Sequence, residues 1–173
     1  MPAMYDLRAE VVPGVSMCVH DKDNRLGSGA SVPGQSPTNM VHLHLFYGAE
    51  PLCDAYISSP VTASLCQFLN SDQSVIYIGY GLRVYAFGIL TGVLLWELVT
   101  ESPVWSIMDN QGTLLVHCEL SLLGVTPEGG TRWETTHDEI VVSVEPMGKK
   151  IKLTDFAGRV LYLNEHGDIV AED

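Results

Sequence analysis

The chain has 173 residues, the length of one ordinary domain, and it is long enough to bury a core without metal ions or disulfides. Only 17% of the residues are charged, but 21 acids stand against 9 bases and give a formal net charge of -12. Because phosphate contacts need clustered Lys and Arg, this balance argues against a protein that binds nucleic acid.

The sequence also gives expectations about compartment. No run reaches the roughly 18 to 20 apolar residues of a membrane span, and no basic stretch followed by an apolar run begins the chain, so we expect neither a membrane partner nor a secretory signal. The cysteines at positions 18, 53, 66 and 118 show no CxxC spacing. We expect buried free thiols in the cytoplasm, with one or two disulfides in an oxidising compartment as the alternative.

Composition divides the chain near residue 40. Residues 1–40 contain one strand-like run, Val15–His20, followed by a segment rich in Gly, Ser, Pro and Asn that is typical of a loop. Residues 41–173 form the main domain.

From residue 41 onward, short strand-like runs alternate with Gly, Pro, Asn or Asp, and no stretch of twelve residues keeps a helical period without a breaker. The sequence therefore predicts an all-β fold. The predicted strands are Val41–Tyr47, Ala55–Ser58, Thr62–Leu69, Val75–Tyr80, Leu82–Phe87, Val93–Val99, Val104–Met108, Thr113–Cys118, Leu120–Val125, Arg132–Thr135, Ile140–Val144, Lys149–Thr154, Arg159–Leu163 and Asp168–Ala171.

Several markers recur with one period. Trp96 and Trp133 lie 37 residues apart, and Gly92, Gly130 and Gly167 follow one another at intervals of 38 and 37. These markers define three units of four short strands, at about 61–100, 101–136 and 137–173. A four-stranded unit repeated at this period is typical of a propeller blade, which buries its apolar faces only by stacking on its neighbours.

The first unit carries the most specific motifs. It has a strand at Val75–Gly79, a second at Arg83–Phe87 and a Thr-Gly turn leading into Leu-Leu-Trp at Thr91–Trp96. The pattern resembles the quinoprotein-type (PQQ-like) or WD-like β-propeller repeat over about residues 61–173. The resemblance implies a propeller-like array of three to four short antiparallel blades. It does not imply a quinone site, because such enzymes bind quinone and calcium with residues from a full ring.

Closed propellers have more blades than this chain provides, so we expect an open or half propeller. A degenerate fourth blade from residues 41–58 or a homodimer would cover an exposed blade face. A β-sandwich or barrel with evenly spaced hairpins is the alternative fold.

Two histidines are candidate metal ligands. His42 and His44 lie at i and i+2 on a predicted strand, a spacing that places both on one face and that zinc or iron sites use. Two exposed histidines on a polar face explain the same pattern. We assign no catalytic residue and no cofactor, because the sequence has no nucleophile elbow and no phosphate-binding loop.

The excess of acids points to a basic protein partner, which long-range attraction would steer to the surface. The candidate partner-binding residues are Asp109, Glu128, Asp138 and Glu139. An acidic, non-catalytic protein-binding module is therefore the leading functional hypothesis. A metal-dependent enzyme or small-ligand binder using His42 and His44 is the second, and a structural homo-oligomer is the third.

Overall fold

The computed structural model describes residues 6–12, 15–22, 39–47, 50–61, 64–72 and 74–172. The regular structure in these ranges consists of strands that form four antiparallel sheets, one after another along the chain. Within the described residues the sheets do not close into a ring, and no helix is long and apolar enough to cross a membrane. The all-β, propeller-like fold that the sequence predicts is thus confirmed.

Each sheet takes four consecutive strands in chain order. The first sheet contains β1 (Asp6–Val12), β2 (Val15–Lys22), β3 (Asn39–Tyr47) and β4 (Glu50–Ser59). The second contains β5 (Leu65–Leu69), β6 (Val75–Tyr80), β7 (Arg83–Gly88) and β8 (Leu94–Val99). The third contains β9 (Val104–Asn110), β10 (Thr113–Cys118), β11 (Ser121–Val125) and β12 (Thr131–Thr136). The fourth contains β13 (Val141–Met147), β14 (Lys150–Asp155), β15 (Val160–Asn164) and β16 (Ile169–Glu172).

The first sheet has one strand more than the sequence predicts before residue 40. β1 pairs with β2 in antiparallel register, and β2 continues the sheet to β3. The sequence of β1, Asp-Leu-Arg-Ala-Glu-Val, alternates polar and apolar residues, and this period of two is the signal that the prediction missed. In this sheet, side chains are described at Leu43, His44, Ile57 and Ser59.

Three apolar layers lie between successive sheets. The first layer joins Leu43 and Ile57 to the second sheet, the next joins the second and third sheets, and the last joins the third and fourth. Successive side chains of a strand point to opposite faces, so a sheet between two neighbours contributes side chains to the layer on each of its faces. In β14, for example, Ile151 and Leu153 are fully buried against the third sheet, whereas Lys150 is exposed.

A repeated contact, which we call the indole anchor, joins the last three sheets: Trp96 with Gly129, and Trp133 with Gly167. Trp96 Nε1 donates a hydrogen bond to the Pro127 carbonyl at 2.8 Å, and Trp133 Nε1 donates to the Glu165 carbonyl at 3.0 Å. A Cβ atom on Gly129 or Gly167 would lie 2.7 or 2.5 Å from the indole ring. Each anchor therefore needs glycine beneath the ring.

The anchors correct the register of the repeat. The sequence aligns Gly130 with Gly92 and Gly167, but in the turns before the last strands the glycines with positive φ are Gly92, Gly129 and Gly167. Gly129 occupies the equivalent position because its φ of 89° matches the 82° of Gly167. Gly130 is the next residue and does not contact an indole.

The fourth sheet has no indole anchor of its own. Ala171 lies four residues after Gly167, as Trp133 lies four residues after Gly129. On the neighbouring strand, Tyr162 pairs with Ala171, whereas the small Gly124 pairs with Trp133. In the fourth sheet the large side chain, Tyr162, therefore lies on β15, and the small one, Ala171, lies on the outermost strand, β16.

The far face of the fourth sheet is also more polar than its counterparts. Lys150, Lys152 and Thr154 of β14 occupy the strand positions that Val75, Tyr77 and Gly79 occupy in β6. This face of β14 is therefore polar where the same face of β6 packs against the third sheet.

A buried imidazole links the third and fourth sheets at another point. His117 Nε2 donates to the Val141 carbonyl at 2.8 Å, and its Nδ1 accepts from the Ser106 hydroxyl at 3.1 Å. Nearby His137 is buried, and its Nε2 has no hydrogen-bond partner within the described residues. Burial lowers the pKa of His117, and burial together with the charge of Arg159 lowers the pKa of His137.

The indole anchor predicts different costs for two glycine substitutions with nearly the same φ. Gly167 has φ 82° and an indole against it, whereas Gly158 has φ 84° and nothing within 4 Å of a built Cβ. We expect G158A to lose about 1–3 kcal/mol of unfolding free energy from its left-handed backbone. G167A should lose a further 1–3 kcal/mol or so because the methyl group overpacks the interface. Urea denaturation measures both values, and equal losses would contradict the anchor.

The two buried histidines predict acid sensitivity. Because their pKa values are lower in the folded than in the unfolded chain, the unfolded chain binds more protons once the pH falls below about 6.5. We therefore expect the unfolding free energy to decrease steadily from pH 7 to pH 5 in urea denaturation. H137F removes the unpartnered nitrogen and should show a smaller decrease. If the wild-type unfolding free energy is constant over this range, or if H137F shows the same decrease, the buried histidines are not the cause of acid sensitivity.

Candidate functional site

The antiparallel order gives every sheet two distinct ends. At the end we call the upper end lie the turns from the first to the second strand and from the third to the fourth strand of each sheet. At the lower end lie the turns from the second to the third strand and the links between sheets. Loops at one end of such a stack come close together, so sites are assembled there.

The four predicted partner-binding residues divide between the two ends. Asp109 lies at the end of β9 and Glu128 in the turn between β11 and β12, both at the upper end. Asp138 and Glu139 follow β12 at the lower end. The six residues of β12 separate the two pairs by about 20 Å. The four residues therefore cannot form one compact patch.

A third carboxylate joins Asp109 and Glu128. Burial raises the pKa of Tyr77, and the charges of Asp72, Glu128 and Asp109 raise it further, which shows that all three lie near this phenol. We call Asp72, Asp109 and Glu128 the acidic rim. The sequence prediction missed Asp72. This residue lies in the turn between β5 and β6, which corresponds in the second sheet to the β9–β10 turn beside Asp109.

Local hydrogen bonds fix two of these carboxylates. Asp72 accepts from the Ser74 hydroxyl at 2.6 Å and from its backbone N–H at 2.9 Å, and these bonds lower the pKa of Asp72. Asp109 accepts from the Gly112 N–H at 3.1 Å. Both side chains are thus held in place at their turns.

The described bases do not neutralise the rim. Arg83 pairs with Glu97, Arg159 with Asp155 at 2.9 Å, and Lys152 with Glu145 at 3.4 Å. Within the described part of the chain, no salt bridge involves a rim residue. The three rim carboxylates therefore lie at the upper end without an ion pair, and Arg132, at the same end of the third sheet, bonds to Thr113 instead.

A cavity of about 440 Å³ opens at the upper end between the third and fourth sheets. Asn110, Gln111, Leu115, Arg132, Trp133 and His166 contribute to its lining. Arg132 Nη1 donates to Thr113 Oγ1 at 3.0 Å, which holds the guanidinium at the cavity. Gln111 has φ 55°, a left-handed conformation that is uncommon outside glycine.

The predicted metal ligands lie in the first sheet. The register pairs His42 with His20 and Tyr56, and His44 with Cys18 and Asp54. Residues paired directly across antiparallel strands share a face, so these positions lie on the face of β3 opposite Leu43. The side chain of His42 lies outside the described residues, and the metal site stays a prediction. Among the described residues, no three His, Cys, Asp or Glu side chains are grouped to hold a metal.

The side chains of two of the four cysteines, Cys66 and Cys118, are described. Both are free thiols in the layer between the second and third sheets. Burial raises the pKa of Cys66 to about 11 and that of Cys118 to about 12. Both thiols are therefore protonated at neutral pH and are poor nucleophiles.

Comparisons with known proteins bear on the fold alone. No family model matches the sequence, and no curated protein matches it. Among solved structures, BamB from Moraxella catarrhalis, a PQQ-like β-propeller protein, is similar at 16% identity with a TM-score of 0.59. That match covers 78% of this chain and 42% of the BamB chain, so this chain spans less than half the length of BamB.

Two computationally designed proteins are similar as well. Ika4 matches at 12% identity and a TM-score of 0.58, over 65% of this chain and 72% of its own. Ika8 matches at 8% identity and a TM-score of 0.63, over 92% of this chain and 58% of its own. Together with the four-stranded sheets, the BamB likeness shows that the chain has a β-propeller-like fold.

Proposed function

We propose that this chain is a non-catalytic protein-binding module that presents its acidic rim to a basic protein. The observation that carries the proposal is the rim itself. Asp72, Asp109 and Glu128 come from turns of two adjacent sheets and have no basic partner among the described residues. A fixed set of like charges on a rigid scaffold attracts an oppositely charged partner at long range and favours its correct orientation.

The proposal changes the set of residues that would meet a partner. Asp109 and Glu128 remain, and Asp72 joins them at the upper end. Asp138 and Glu139 lie at the lower end, so they would contact only a partner that wraps around the sheets. Because they lie far from the rim, they can be changed in a control variant that has the same net charge as the rim variant.

Three further assignments accompany this function. The free thiols of Cys66 and Cys118 support a reducing, cytoplasmic location. The Thr-Gly turn and the Leu-Leu-Trp strand support the quinoprotein type of repeat over the WD type. If two chains pair end to end, the polar far face of the fourth sheet favours the first sheet as the contact.

Charge-matched triple variants test the acidic rim. D72N/D109N/E128Q removes the rim charges but keeps the side-chain oxygens that the turns use, and E101Q/D138N/E139Q removes three charges at the lower end. Chemical cross-linking in native-host lysate at 50 and 300 mM salt should recover a basic protein with the wild type. The rim variant should reduce this recovery at least tenfold, as expected for loss of several charge contacts, whereas the lower-end variant should stay within about twofold.

The salt series provides a second readout of the same experiment. Recovery by the wild type should decrease steeply at 300 mM salt because exposed charges are screened over about 8–10 Å near physiological ionic strength. Equal losses in both triple variants would indicate attraction to net charge without a site. Unchanged recovery in the rim variant would overturn the proposal.

The register of the first sheet supports a metal site as a second candidate. It places His20 beside His42, and Cys18 and Asp54 on either side of His44. Imidazole, thiolate and carboxylate are the groups that bind zinc. Elemental analysis of untagged protein should then find about one zinc ion per chain, and H42A/H44A should lose it. Less than about a tenth of an equivalent in the wild type would exclude the site.

A further inference from the structure

Two successive interfaces use the same strand positions in different ways. In the second sheet, Phe68 and Tyr77 are paired across β5 and β6, and their rings stack at 6.2 Å. Tyr77 also contacts the anchor residue Trp96 at 5.6 Å. This aromatic group fills the upper end of the layer between the second and third sheets.

The third sheet has smaller side chains at the corresponding positions. Met108 and Leu115 are paired across β9 and β10 as Phe68 and Tyr77 are across β5 and β6. Trp133 takes the place of Trp96, but no aromatic ring contacts it within the described residues. The cavity of about 440 Å³ opens in this interface, where Leu115 and Trp133 contribute to its lining.

An asparagine side chain gives this cavity a polar group. Asn70 follows β5 and Asn110 ends β9 at matching positions, and Asn70 Oδ1 accepts from the N–H groups of Ser74 and Val75 at 2.9 Å. The β9–β10 turn has only Gln111 and Gly112, so it offers no such donors. The Asn110 side chain lines the cavity, is 9% exposed and makes no hydrogen bond to the described residues. The amide is open to the cavity, where it can donate and accept hydrogen bonds with a ligand.

The charged groups at the cavity differ in availability. Arg132 uses Nη1 to donate to Thr113, and its other N–H groups make no hydrogen bond within the described part of the chain. Glu165 also lines the cavity, and its carboxylate lies 3.8 Å from His166. Its carbonyl oxygen accepts from Trp133. The guanidinium is therefore the group with free donors for an anion.

The β9–β10 turn forms one wall of the cavity. Gln111 is the only residue other than glycine with positive φ among those described, and it lines the cavity. Its φ of 55° and the 81° of Gly112 are what a two-residue hairpin turn requires, so the turn itself explains this conformation.

We propose that the cavity binds a small planar aromatic carboxylate. The aromatic ring lies beside the Trp133 indole in the space that corresponds to the Tyr77 ring. The carboxylate accepts hydrogen bonds from the free N–H groups of Arg132, and the Asn110 amide donates to it. The cavity volume lies near the lower limit for small-ligand sites, which suits a ligand of one or two rings. This site is separate from the acidic rim and does not depend on the proposed protein partner.

A set of probes tests the chemistry. Nitrogen-15 NMR follows the Trp133 indole and Asn110 amide signals of the full chain during titration with benzoate, 4-hydroxybenzoate and indole-3-acetate. We expect saturable shifts of both signals with at least one aromatic acid. Benzamide lacks the charge and cyclohexanecarboxylate lacks the flat ring, so each should bind at least tenfold more weakly.

Three variants connect binding to the cavity. L115Y places in the third sheet the side chain that fills the second interface, and it should abolish the shifts. R132Q should remove the preference for benzoate over benzamide and retain the fold. R83Q, which changes an arginine that pairs with Glu97 in the second sheet, is the control and should bind as the wild type.

The outcomes separate the possibilities. If L115Y does not fold, R132Q decides the result. The proposal is overturned if no aromatic acid shifts the two signals at 10 mM, if R132Q keeps the preference for benzoate, or if a folded L115Y binds as well as the wild type.

Discussion

An indole that bridges neighbouring sheets is the contact on which the rest of this molecule depends. Trp96 and Trp133 each donate one hydrogen bond to a carbonyl in the next sheet and cover one glycine there. Because the second and third sheets each have two apolar faces, they are stable only when neighbouring sheets cover both. The anchors set how closely those neighbours approach at the upper end, where the acidic rim and the cavity lie.

The same contact explains how two interfaces of similar backbone acquire different properties. Where Trp96 is supported by Tyr77 and Phe68, the layer is filled and carboxylates lie above it. Where Trp133 packs with Leu115 and Met108, a cavity lined by Asn110 and Arg132 opens. Changes at the two positions that hold Phe68 and Tyr77 in the second sheet thus alter the chemistry of an interface, while the indole anchor keeps the same geometry.

Much of the fold could be predicted from the sequence, because Trp96 and Trp133 repeat with the period of the sheets. The exact register could not, since Gly129 and Gly130 are indistinguishable until an indole lies on one of them. The separation of the four acids could also be predicted. A single strand, β12, lies between Glu128 and Asp138 and carries the chain from one end of the sheet to the other. The cavity could not be predicted, since it depends on side-chain volumes compared across two interfaces and on a short turn that leaves Asn110 unpaired.

Hydrogen exchange at the three indole N–H groups tests the anchors most directly. Trp96 and Trp133 donate to carbonyl oxygens of neighbouring sheets, whereas Trp105 is 42% exposed and donates no hydrogen bond within the described residues. The indole N–H groups of Trp96 and Trp133 should exchange far more slowly than that of Trp105, because their exchange requires separation of the sheets. Equally fast exchange at all three would show that the anchors do not hold the array together.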